Sequence, residues 1–126
     1  MPTPLPPDDT AAFFDAIPDA ALCDDARALD ALMRDVTGET PRRWGNILGY
    51  GRYQAATGLW LRTGFAARRS GLVLYLMVPT EALASELAAL GRPKTGKGCI
   101  YLPALSRLDH AALRRLVHRA LALPLH

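Results

Sequence analysis

The stretch Trp60–Val78, WLRTGFAARRSGLVLYLMV, holds two apolar segments, Trp60 to Ala67 and Leu72 to Val78, on either side of a Ser70-Gly71 turn. So short a connection favours antiparallel neighbours. The unbroken apolarity of Leu72 to Val78 predicts a central strand covered on both faces. Upstream, Ile47 to Tyr53 predicts another strand, interrupted by Gly49 and Gly51, where a bulge or a close backbone approach is expected. It joins Trp60 through Ala56-Thr57-Gly58, so the three strands are expected to form a meander. Downstream, Cys99 to Leu102 predicts a fourth, short strand.

Helical periodicity brackets this sheet. Asp9 or Thr10 caps a first helix that Pro18 ends, reaching about Ile17. From Asp19 to Gly38, Leu22, Ala26, Leu29, Leu32, Met33 and Val36 form one apolar stripe, and Gly38 suits a left-handed C′ position. A third helix starts at Thr80 and stops at Leu90 before Gly91 and Pro93, and a fourth begins near Asp109 with Leu113, Leu116, Val117, Ala120 and Leu121 on one side. The predicted order is ααβββαβα, an α+β domain with an antiparallel sheet of three meander strands plus a fourth, spanning residues 9–126. Residues 1–8 read as a flexible proline-rich tail.

The chain has 126 residues, half of them hydrophobic, enough for one core without disulfides or a structural metal. No apolar run reaches the roughly 18 residues of a membrane span, and the N-terminus lacks the pattern of a secretion signal. Cys23 and Cys99 belong to no Cys-x-x-Cys pair and are expected as free thiols, with the cytoplasm as the expected address. The net charge of +3 is unevenly spread. Residues 1–40 hold nine acids against Arg27 and Arg34, whereas the remainder holds thirteen Lys or Arg against Glu81, Glu86 and Asp109. An acidic helical layer beside a basic sheet layer accounts for this, and a partner surface is the competing reading.

Three blocks, RWGNILGYGRY from Arg43 to Tyr53, GFAARR from Gly64 to Arg69 with the strand around Tyr75, and GRPKTGKGCIY from Gly91 to Tyr101, resemble the YdhG-like family. The likeness spans about Asp25 to Leu123, with the Lys-Thr-Gly-Lys-Gly block and the strand that follows it its most specific part. It implies a small α+β domain with no established enzymatic activity. One branch of that family is described as frataxin-like iron chaperones.

Gly91 to Gly98 comes within one residue of the phosphate-binding pattern G-x-x-x-x-G-K-[ST]. Gly98 supplies no hydroxyl for Mg²⁺, and a helix precedes the loop where a strand is required, which argues against a nucleotide hydrolase. The loop still offers Lys94, Thr95, Gly96, Lys97 and Gly98 as an anion site. Trp44, Tyr50 and Tyr101 are expected to flank it, although aromatics on strands most often build core.

Other chemistries find less support. Hard oxygen ligands for iron should converge. Yet Asp24 and Asp35 lie three turns apart, while Asp24–Arg27 and Asp30–Arg34 have ion-pair spacing. Asp25 falls in the apolar sector and is expected to pair with a sheet arginine. His110 and His118 are off one another's face, and no nucleophile elbow is present. Arg42, Arg43, Arg52, Arg62, Arg68, Arg69 and Arg92 suggest a phosphate-tracking surface, but no nucleic-acid motif accompanies them, so nucleic acid is disfavoured as partner.

The leading expectation is a non-catalytic domain that binds a small anionic molecule or a protein partner near the lysine loop, without a membrane and without a predicted cofactor. The alternatives are an iron-binding chaperone, the one reading that brings in iron, and an enzyme with a scattered active site.

Overall fold

The computed structural model describes residues 8–123; the tail expected over 1–8 lies, apart from Asp8, outside the described residues. Helix α1 spans Thr10–Asp15 and α2 spans Ala20–Thr37. Asp19 caps α2 by accepting from the Leu22 N–H at 2.9 Å, and Gly38 closes it at φ 69°, a left-handed conformation that costs glycine little. Ala26, Leu29, Leu32 and Met33 recur on the buried side of the helix.

Five strands follow in a single antiparallel sheet with spatial order β1 to β5: β1 Arg42–Trp44, β2 Ile47–Ala55, β3 Gly58–Arg68, β4 Gly71–Tyr75 and β5 Cys99–Leu102. The α+β class and the meander are as the sequence predicts. The difference is β1, a three-residue edge strand that turns back on β2 through Gly45 and pairs Arg42 with Gly49. Three residues, two of them arginine, carry no alternation by which to be recognised. The strand expected over Leu72–Val78 ends at Tyr75, because Leu76 N–H turns to the Gly98 carbonyl and Met77 adopts φ 61°. Leu76 and Val78 remain buried in the core.

The third helical region is a 3-10 turn, Thr80–Leu83, running into α3, Ala84–Ala89. After β5 a second 3-10 turn, Leu105–Arg107, leads to α4, His110–Ala122, whose cap Asp109 accepts from the N–H groups of Ala111 and Ala112. One apolar cluster joins Phe13 and Phe14 of α1, the α2 stripe, Leu113, Leu116 and Val117 of α4, and Leu48, Tyr50, Phe65, Leu72, Leu74, Ile100 and Leu102 from the strands. Each large apolar side chain buried here contributes roughly 1.5–3 kcal/mol. All four helices feed this cluster, so among the described residues they lie on one side of the sheet. None of the described helices is long and apolar enough to cross a membrane.

Candidate functional site

Side chains alternate across a strand, and paired residues share a face. The core takes Phe65, Leu72, Leu74, Ile100 and Leu102, so their neighbours point to the side without helices. Two rows of pairs cross that side. One runs Arg42, Gly49, Gly64, Tyr75, Cys99, and the other runs Ala66, Val73, Tyr101. Ala66 and Val73 are each 2 % exposed yet belong to no helix-side cluster. Arg68, Tyr75, Cys99 and Tyr101 stand around them, and no described helix supplies the second layer expected over this strand.

Those side chains form a polar group. Arg68 Nη2 donates to the Tyr75 hydroxyl at 2.9 Å, and this bond, reinforced by Tyr101 and Cys99 nearby, raises the guanidinium pKa further. Tyr101 donates its hydroxyl to the Cys99 sulfur, which holds the phenol pKa above its ordinary value. A Cβ at Gly96 would lie 2.8 Å from Cys99 Sγ and 3.4 Å from the Tyr101 hydroxyl, so only glycine lets the loop approach this closely. Beside it, Ser70, Pro93, Lys94, Tyr101, Leu102 and Pro103 line an open groove of about 630 Å³. An arginine fork, a nearby ammonium and phenolic donors suit a phosphate or carboxylate oxygen.

The lysine loop does not form a nest of free backbone donors. Gly96 N–H donates to the Cys99 carbonyl, Tyr101 N–H donates to the Lys94 carbonyl, and Thr95 bridges Ile100, so residues 94–96 extend the sheet beside β5. Lys94, Thr95 and Lys97 are exposed there, and Gly98 is buried with φ 79°. Of the flanking aromatics expected from sequence, Tyr101 is in place and 45 % exposed. Tyr50 is not: it is buried against Phe65, and its hydroxyl donates to Asp30 at 2.7 Å. Trp44 sits on β1, four strand spacings or roughly 19 Å from β5. Its indole packs edge-on against Trp60, with ring centroids 5.6 Å apart.

Arg68, Tyr75 and Cys99 were not grouped by sequence reasoning, although their parity relative to Leu72 and Leu74 is the signal that finds them. Asp25 pairs with no sheet arginine; it accepts from the Leu105 N–H at 3.0 Å. Asp30 and Arg34 form the expected pair at 3.0 Å, whereas Arg27 lies over the Phe14 ring, 4.6 Å from its centroid. Cys23 and Cys99 are free. Among the described residues no group of three or more His, Cys, Asp or Glu converges. The chain matches no family model, no curated protein and no solved structure.

Proposed function

We propose that this protein is a non-catalytic binding domain that receives an anionic group on the helix-free face of its sheet, at Arg68, Tyr75, Tyr101 and Lys94. The observation that carries this reading is the guanidinium of Arg68, hydrogen-bonded to Tyr75 beside the Tyr101 phenol and the Cys99 thiol, with Lys94 lining the groove next to Tyr101. Membership of the YdhG-like family belongs to the same proposal. The resemblance implies a small α+β domain with no established enzymatic activity, which agrees with a non-catalytic role. Its most specific part, the lysine block with the strand after it, supplies Lys94, Gly96, Cys99 and Tyr101.

Calorimetric titration with inorganic phosphate and with a dicarboxylate tests the reading. Saturable binding is expected, weakened at least tenfold in Arg68→Ala and in Lys94→Ala. Both residues are exposed, so neither substitution should unfold the domain. Binding that is indifferent to both substitutions overturns the site. Ferrous iron serves as the contrasting ligand: binding of iron alone would favour the chaperone reading.

A further inference from the structure

The five strands contain Arg42, Arg43, Arg52, Arg62 and Arg68 and no Asp or Glu at all. The acids are elsewhere and largely engaged within the helix layer. Asp30 holds Tyr50 and Arg34, Asp25 holds Leu105 N–H, and Asp35 pairs with Arg114 of α4. Glu39, just before β1, is the acid that reaches the strands: it lines a small cleft with Arg42, Trp44, Gly49, Gly51 and Arg52, away from the Arg68 end. Acidic helices weaken the positive field of a basic surface that they adjoin. The structure puts those helices on one side of the sheet and the phenol–arginine cluster on the other.

The helix-free face also has a particular relief. Gly49, Gly64, Ala66 and Val73 form a low floor across the middle strands, and aromatic side chains stand at both ends. Tyr75 and Tyr101 occupy the β4–β5 end, with Lys94 beside them. Trp44 stands at the other end, on edge strand β1, and its ring meets Trp60, which projects from the far part of the middle strand β3 and is 38 % exposed. Gly49 is required for this arrangement, because a Cβ there would meet the Trp44 indole at 2.7 Å. A small anion needs only the Arg68 end. Arg62 is committed to the α4 carbonyls on the helix side, so the cations of this face are Arg68 and Lys94 at the Tyr101 end. A trough roughly 19 Å wide with rings at both ends and cations at one fits a ligand that carries both phosphate charge and planar groups.

We propose that the ligand of this face is a single strand of nucleic acid, on the order of four nucleotides, lying across the strands with its phosphates toward Arg68 and Lys94 and its bases on Tyr101 and the Trp44–Trp60 pair. This rests on the anion-binding reading of the same face. A double helix keeps its bases paired and stacked within itself, and an acidic peptide offers the rings no aromatic base at each repeat.

Fluorescence anisotropy with labelled oligothymidylate and oligouridylate of about ten nucleotides tests this, with inorganic phosphate, polyglutamate and a duplex of equal length as competitors. The expected result is single-strand binding that falls with salt, displaced weakly by the duplex and by polyglutamate. Arg68→Ala should lower the affinity and reduce the salt slope by about 0.7, the share of one phosphate contact. Tyr101→Ala and Trp60→Ala should each weaken binding roughly 5- to 100-fold with the slope unchanged, and Tyr101→Phe should restore it. Thermal melts of each variant confirm that it is folded. If phosphate binds through Arg68 but no oligonucleotide does, the nucleic-acid inference falls and the anion site stands. If oligonucleotides bind with no dependence on Tyr101 or Trp60, or no better than polyglutamate, the face is a general polyanion surface and the inference is overturned. If neither phosphate nor oligonucleotide binds, both readings fall.

Discussion

Arg62 of β3 donates from Nη2 to the Ala120 carbonyl of α4 at 3.0 Å, reaching 58 residues along the chain. The same nitrogen lies 3.3 Å from the Leu121 carbonyl and 3.4 Å from that of Leu123, and Nη1 donates to Leu76 at 3.3 Å. The last carbonyls of a helix lack partners within it and carry the negative end of its dipole. One half-buried guanidinium therefore closes α4 and fixes it to the sheet. Burial holds the Arg62 pKa below its ordinary value, yet arginine remains charged at any physiological pH.

Arg62→Ala is accordingly expected to destabilise the domain by about 2 kcal/mol, the worth of a charged hydrogen-bond donor plus the cost of stranded carbonyls. Arg62→Lys should recover only part of this, because a single ammonium cannot span carbonyls that the planar fork reaches together. Urea melts of the three proteins measure the difference. A loss below about 0.5 kcal/mol, the range of ordinary surface substitutions, would show that the cap carries no weight.

Tyr50 sets the response to alkali. Burial, and then its bond to Asp30, push the phenol pKa far above its ordinary 10.0. Below pH 10 the folded and unfolded chains both keep this proton. Above pH 10 the unfolded chain loses it while the folded chain holds it, so stability falls as pH rises, by about 1.4 kcal/mol per unit from this group. Tyr50→Phe should cost about 2 kcal/mol at pH 7, where the bond to a charged acceptor is lost, and should flatten the decline above pH 10. Denaturant midpoints from pH 7 to 11 read both effects. Parallel curves for the two proteins would mean that the Tyr50 phenol is not protected.

Helices α2 and α4 were legible in the sequence because each carries its own punctuation, whereas α1 and α3 have no side-chain cap. Asp19, Gly38 and Asp109 act locally, and the apolar periods of α2 and α4 are long enough to be read. The meander was legible for the same reason, through alternation and glycine turns. The candidate site was only half legible. Lys94, Gly96 and Tyr101 stand close in the chain, and their loop drew notice by composition. Trp44 and Tyr50 are equal candidates in the sequence because an aromatic on a strand does not disclose which face it serves. Parity fixes this only once the register is known, and β1 was too short to supply a register. Arg68 was visible as a charge, but its bond to Tyr75 depends on a cross-strand diagonal that no linear spacing contains.

Gly49 tests the far end of the trough. A Cβ there would lie 2.7 Å from both the Trp44 indole and Leu61 Cβ, and neither is a flexible tip. Gly49→Ala should therefore expel the indole and cost about 1–3 kcal/mol, the usual range for overpacking. Tryptophan emission should shift to the red as Trp44 enters solvent. In a Trp44→Ala background the same substitution should cost less, though not nothing, because the Leu61 contact persists, and the double-mutant cycle isolates the indole's share. Equal costs in the two backgrounds would mean that Trp44 does not rest on Gly49.

Gly96 tests the near end, where the loop, the thiol and the phenol meet. An alanine methyl would enter within 2.8 Å of Cys99 Sγ and must move either the sulfur or the loop. The loop is pinned by the Gly96 N–H bond to the Cys99 carbonyl at 2.9 Å and by the Tyr101 N–H bond to the Lys94 carbonyl at 2.9 Å, so the side chains should yield first. Tyr101 then loses Cys99 as its acceptor, the main cause of its raised pKa. Ultraviolet titration of Gly96→Ala should accordingly show the Tyr101 phenol ionising at lower pH than in the parent, with Tyr101→Phe in each background assigning the signal. The thiol, deprived of the phenol's hydrogen bond and crowded by the new methyl, should react more slowly with a disulfide reagent. An unchanged titration together with an unchanged thiol rate would place the methyl where neither group feels it, and would remove the loop's contact with the cluster.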